Sequence, residues 1–151
     1  MANEIHVDYA PGNTLYTVVR NIAGDVWHVA GQVFETWGTA GRTADDYDMS
    51  LTDKSGSRYV GNFDANIPAG RSSVQTFLQA GPNPADSDTL VAVEQIVWSG
   101  TGRVTADKML ANKAAQTKST GQIKYYDDDG QTILLTHTPG DTEATLTRAP
   151  S

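Results

Sequence analysis

Gln122-Ile-Lys-Tyr-Tyr126, Asp127-Asp-Asp-Gly130 and Gln131-Thr-Ile-Leu-Leu-Thr-His137 decide how this chain is read. Two β-prone runs flank an Asp-Gly pair. A tight primed turn needs positive φ, which Gly and Asp tolerate, so the pattern predicts a β-hairpin. The run before it, Thr105 to Gln116, reads as a short helix. Thr105 caps it, Met109, Leu110 and Ala114 share one face, Ala111 and Ala115 extend it, and the stretch ending in Gly121 stops it. After the hairpin, Pro139-Gly140-Asp141 permits a turn, and Glu143 to Arg148 a third strand. An isolated hairpin is barely stable in water, so this appendage must rest on a preceding domain or on copies of itself.

Toward the N-terminus the β chemistry continues. Thr14-Leu-Tyr-Thr-Val-Val-Arg20 and Val26-Trp27-His28-Val29 read as paired strands around Asn21 and Gly24-Asp25, and Val33 to Trp37 as a third. Gly38 to Ala44 is too small and polar to pack and reads as a loop. Tyr47, Met49 and Leu51 alternate with polar residues, the period of a strand with one buried face. Arg58 to Phe63 follows a turn at Asp53 to Gly56, and Pro68, which has no ladder donor, interrupts β structure until Ser73 to Gln79. Thr89-Leu-Val-Ala-Val-Glu-Gln-Ile-Val-Trp98 is the longest apolar run and is expected at the centre of a sheet.

About seven short strands joined by Gly, Pro, Asn and Asp predict an antiparallel sandwich of immunoglobulin-like proportions. Parallel α/β is disfavoured, since no helix alternates with these strands. The expected organisation is a β-sandwich domain over 1–99, a linker over 100–104, and a helix-plus-hairpin assembly appendage over 105–151.

Bulk properties bound the function. At 151 residues the chain accommodates one ordinary domain and a small appendage. With 14 Gly and only 19% charged residues, strands and turns should dominate. A net charge of -7 argues against a nucleic-acid partner, whose footprint is a basic face. The absence of cysteine removes disulfides, thiolate nucleophiles and Cys-ligated zinc. The start lacks a basic segment followed by an apolar one, and no run reaches the roughly 18 apolar residues of a membrane span. Folding in a cytoplasm, with no membrane partner, is expected.

Candidate chemistry is sparse. His6, His28 and His137 show no shared metal-ligand spacing. Asp127, Asp128 and Asp129 are adjacent rather than alternating and lack a distal Glu, which favours a solvated turn over calcium. Asp45-Asp46 and Asp86-Ser-Asp88 would do acid-base work only by facing one cleft. Residues 100–102 lack the spacing and the lysine of a phosphate cradle, and no Gly-x-Ser-x-Gly elbow occurs. No catalytic, cofactor-binding or metal-binding residue is assigned, and no enzymatic activity is expected. Trp27, Trp37 and Trp98, with Tyr47 and Tyr59, read as core or subunit contact, or alternatively as a platform for sugar rings.

Leu15-Tyr16-Thr-Val-Val-Arg20, Phe34-Glu35, Tyr47-Asp48, Tyr59-Val-Gly-Asn-Phe63, Ile67-Pro-Ala-Gly70, Gln79-Ala-Gly81, Asp88-Thr89 and Ile96-Val-Trp98 form an ordered pattern over residues 14–98. Asn112-Lys113, Thr120-Gly121, Tyr126-Asp-Asp-Asp-Gly130 and Thr147-Arg148 continue it. The pattern resembles small β-sandwich virion structural proteins of tailed bacteriophages and prophages. Such sandwiches place a tyrosine two residues after the glycine of Ile67-Pro-Ala-Gly70; here that position is Ser72, so its corner hydrogen bond is not expected. The resemblance implies a non-enzymatic capsid decoration, fibre or tail-adaptor component, made in the host cytoplasm and located in the virion, with other virion proteins as partners. A carbohydrate-binding module recognising host-surface glycans is the alternative.

The appendage supplies the candidate interface: Met109, Leu110, Ile123, Tyr125, Ile133 and Leu135. A marginal element bearing that much apolar surface needs partners, so a homo-oligomer is expected. The trimer favoured here is what the resemblance implies.

Overall fold

The computed structural model describes residues 3–106, 112–127, 129–142 and 145–150. Its elements are mainly antiparallel strands, and the chain divides into two compact units, Met1–Gly100 and Thr101–Ser151.

The first unit contains β1 (Ile5–Asp8), β2 (Leu15–Asn21), β3 (Val26–His28), β4 (Val33–Glu35), α1 (Ala44–Tyr47), β5 (Met49–Ser50), β6 (Thr52–Asp53), β7 (Arg58–Gly61), β8 (Gly70–Leu78) and β9 (Thr89–Trp98). One sheet runs β1-β7-β6; the other runs β9-β8-β2-β3-β4, with β5 paired to β2. Ile5 of the first sheet and Val19, Trp27, Val74, Ile96 and Trp98 of the second share one buried cluster with Phe63 and Ile67. The arrangement is sandwich-like. Burying each large apolar side chain of this kind contributes about 1.5–3 kcal/mol.

β2 is buried at every position from Leu15 to Val19. Val19 enters the cluster between the sheets. Tyr16 and Val18 enter a second cluster with Val26, Ala44 and Tyr47, against which Trp37 and Phe77 pack. A strand covered on both faces reads as a continuous apolar run, hence Leu15-Tyr-Thr-Val-Val19.

Tyr47 belongs to α1, not to a strand, so the alternation read through Tyr47, Met49 and Leu51 begins one element too early. Local capping outweighs the period-two pattern there: the Asp46 carboxylate accepts the Thr43 N–H at 2.9 Å and Asp86 accepts the Ala44 N–H at 2.8 Å. Ala44, read as part of a non-packing loop, is 2% exposed. β4 stops at Glu35, short of the expected Trp37. Within the first unit β9 lies at the end of its path, beyond β8, rather than at the centre, and β2 and β8 hold the middle.

The second unit contains β10 (Arg103–Val104), β11 (Ala114–Gln116), β12 (Ile123–Tyr126), β13 (Ile133–Thr142) and β14 (Thr145–Pro150), the last four forming an antiparallel sheet in chain order. Ala114, expected on the apolar face of a helix, and Ala115, expected to extend it, lie in β11 because Ala114 and Gln116 pair with Tyr125 and Ile123. Sheet pairing overrides alanine's helix propensity. Residues 107–111, with Met109 and Leu110, and Asp128 lie outside the described residues.

Candidate functional site

The register of β8 with its neighbours sorts side chains onto two faces. Ser72, Val74 and Thr76 are buried, so Arg71, Ser73, Gln75 and Phe77 stand on the opposite, outer face. Across β9, Arg71 pairs with Val97, Ser73 with Gln95, Gln75 with Val93 and Phe77 with Leu90; Val91 is the inserted residue of a bulge. Across β2, Phe77 pairs with Tyr16, Gln75 with Val18 and Ser73 with Arg20. Leu90, Val93 and Val97 are 46%, 53% and 42% exposed, and Ile22, just beyond β2, is 86% exposed. Leu90, Val93 and Val97, with Gln95 between the last two, therefore face solvent beside exposed Arg71 in a chain of net charge -7.

One end of this face is walled by Trp37, Ala44 and the connection before β9. An open cavity of about 330 Å³ lies there, lined by Tyr16, Arg20, Trp37, Ala44, Gln75, Phe77, Ala85, Asp86 and Leu90. Tyr16 and Phe77 stack with centroids 5.4 Å apart and planes at 15°. The Arg20 guanidinium lies 4.9 Å from the Trp37 ring centroid. Its Nε donates to Gln75 Oε1 and its Nη1 to the Gly24 carbonyl, both at 2.9 Å, which fixes the group in place.

The wall behind the cavity is held by Asp88. Its Oδ2 accepts the Ala85 N–H at 2.8 Å and the Tyr16 hydroxyl at 3.1 Å, while Oδ1 accepts the Ala80 N–H at 3.1 Å. Burial pushes the Asp88 carboxyl up, but these three donors together outweigh it and hold the group below its ordinary value. Burial, and then Asp88 itself, raises the Tyr16 phenol.

The other candidates disperse. Trp27 donates to Asp64 at 2.9 Å and Trp98 to the Ile67 carbonyl at 3.1 Å, and both are 1% exposed. Tyr47 and Tyr59 are equally buried, so these four rings fill the core and cannot present a sugar platform. Trp37 is half-buried, with Tyr47 4.9 Å from it. His28 is nearly buried, its Nδ1 3.9 Å from a Glu35 carboxylate already paired with Arg42 at 2.9 Å. His6 lies 3.1 Å from Arg58, and His137 packs edge-on to Tyr125 at 5.7 Å. Among the described residues no three metal-ligating groups converge.

In the second unit Ile123 and Tyr125 share one face of β12, opposite His137 and Leu135 of β13. Ile123, Tyr125 and Leu135 are half-buried, Ile133 is 42% exposed, and Leu134, absent from the expected interface, is 5% exposed. Three of the six expected interface residues thus come together. Leu90, Val93 and Val97 are hard to recognise in the sequence because β9 carries apolar residues on both faces, which hides its alternation; the Glu94-Gln95 pair in mid-strand is the available signal. Comparison with protein-family models, curated proteins and solved structures gave no match.

Proposed function

We propose that the chain is a non-enzymatic virion structural protein of the tailed-bacteriophage kind, a decoration, fibre or tail-adaptor component that acts by protein–protein assembly. The observation that carries the reading is the solvent-facing row of Leu90, Val93 and Val97 on a ten-residue strand of an otherwise well-packed unit. Large apolar side chains exposed along one strand face, here with only Gln95 between Val93 and Val97, suit a face that a partner covers. The second unit adds Ile133, exposed, and the half-buried Ile123, Tyr125 and Leu135. On this reading the first unit is an immunoglobulin-like sandwich and the assembled form a homo-oligomer, with a trimer favoured.

Light scattering of the full chain at micromolar concentration tests the assembly claim. The wild type should run as an oligomer, and Val93→Lys with Val97→Lys, both at exposed positions, should lower the mass without lowering the melting temperature. A wild-type chain that stays monomeric both free and in purified phage particles would overturn it.

A further inference from the structure

We propose that the cavity over Phe77 binds one or two rings of a neutral glycan, at a site that shares only Leu90 with the assembly row. Its volume of about 330 Å³ lies at the lower end of the range for small-ligand sites, roughly 300–1,000 Å³. Phe77, half-buried and backed by Tyr16, and Leu90 give it an apolar floor and wall suited to the C–H face of a pyranose.

The rim supplies complementary polarity. Arg20 keeps one guanidinium nitrogen, and Gln75 its amide nitrogen, outside the bonds that fix them, so both are donors held in position. Asp86 gives one carboxylate oxygen to Ala44 and keeps the other as an acceptor. A hydroxyl both donates and accepts, so a polyhydroxylated ring satisfies such a mixed rim. With one guanidinium and one carboxylate the rim carries no net charge, which suits a neutral polyhydroxylated ring.

Saturation-transfer NMR on the full chain tests this with methyl glucoside, mannoside, galactoside and N-acetylglucosaminide, each at about 10 mM, since a single ring in an open site binds weakly. At least one should receive saturation, strongest on the protons of one ring face. Asp86→Asn still accepts the Ala44 N–H but loses the charged acceptor, and should weaken binding about tenfold. Leu90→Trp fills the mouth from an exposed position and should abolish binding at an unchanged melting temperature. Val93→Lys, which tests assembly, should leave the sugar signal intact. Silence from all four sugars, or a signal that survives Leu90→Trp, overturns the proposal. So does cyclohexanol binding as well as the best pyranoside with Asp86→Asn silent, which would mean a merely apolar hollow.

Discussion

The Tyr16 hydroxyl donates to Asp88 Oδ2 at 3.1 Å, tying the second strand of the first unit to the loop that precedes β9, 72 residues away. Asp88 is 9% exposed and also takes two backbone N–H groups. Removing it leaves the Ala80 and Ala85 N–H groups unmet, the Tyr16 hydroxyl keeping the Ala85 carbonyl at 3.3 Å, and each unmet donor costs about 1–3 kcal/mol where it is buried. Asp88→Ala should therefore lower stability by about 3 kcal/mol or more in urea melts. Tyr16→Phe removes one donor and leaves Asp88 two others, so it should cost about 1 kcal/mol. Equal losses in the two variants would show that the loop is not held this way.

The same carboxylate sets an acid limit. Its folded value lies below the ordinary 3.8, so the folded state favours the ionised form. That contribution is complete above the unfolded value and disappears as pH falls through the folded one. Melting temperature should fall from about pH 5 to about pH 3, and Asp88→Asn, less stable at neutral pH, should show a shallower fall. Parallel curves for the two proteins would assign the acid sensitivity elsewhere. Asp53 is a second contributor, lowered by the Gly12 and Ser55 N–H groups.

Tyr59 does for the first sheet what Asp88 does for the second. Its hydroxyl, on a residue 1% exposed, accepts the Asn13 N–H at 3.0 Å and shares its proton between the carbonyls of Ala10 at 3.0 Å and Asn13 at 3.1 Å. One phenol thus closes the loop between β1 and β2. The tyrosine absent at Ser72, which is itself buried in β8, is not the group that bonds this connection. Tyr59→Phe should cost about 1–2 kcal/mol and raise hydrogen exchange at the Asn13 amide selectively. Unchanged exchange at Asn13 would contradict this.

Both apolar clusters of the first unit are built from residues between Ile5 and Trp98. Truncation after Gly102 should therefore leave a domain with a cooperative thermal transition and native-like near-ultraviolet circular dichroism. The fragment should assemble less than the full chain. Loss of the cooperative transition would show that the first unit depends on residues beyond Gly102 to fold.

Legibility in the sequence tracks which forces are local. The strands at Leu15 to Asn21, Arg58 to Gly61 and Thr89 to Trp98, and the part of β8 from Ser73, announce themselves through β-branched and aromatic content, because pleated surfaces select those residues; the start of β8 at Gly70 does not. The one-turn helix at Ala44 does not, since it depends on Asp86, 42 residues away, accepting its first N–H. Strand order is equally hidden. The apolar run of β9 suggests a central place, and only the pairing shows that β2 and β8 occupy it. The cavity combines Arg20, Trp37, Phe77 and Asp86 from four separate segments, a convergence no spacing in the chain records. The acidic turn is accessible in part: Gly130 takes the positive φ expected of it, but residues 127–132 separate the paired Tyr126 and Ile133, a longer connection than the tight primed turn expected.

That turn offers the sharpest separation between a hairpin and an ion site. Gly130 has φ of 65°, and a Cβ there would meet nothing within 4 Å, so any cost of substitution comes from the backbone alone. Gly130→Ala should destabilise the turn by about 1 kcal/mol, Gly130→Val by more, and Gly130→Asn by less, because asparagine tolerates positive φ. The readout is exchange of the Asp127 amide, which donates to the Thr132 carbonyl at 2.8 Å across the turn. Asp129 is already committed: it accepts the Gln131 and Thr132 N–H groups at 2.8 Å and the Thr132 hydroxyl at 2.6 Å, contacts that hold its carboxyl below the ordinary value. A carboxylate so engaged has little left for a cation, so millimolar calcium should leave the melting temperature unmoved. A calcium-dependent rise that disappears in Asp129→Asn would show instead that the turn binds the ion, because a ligand that binds only the folded state must stabilise it.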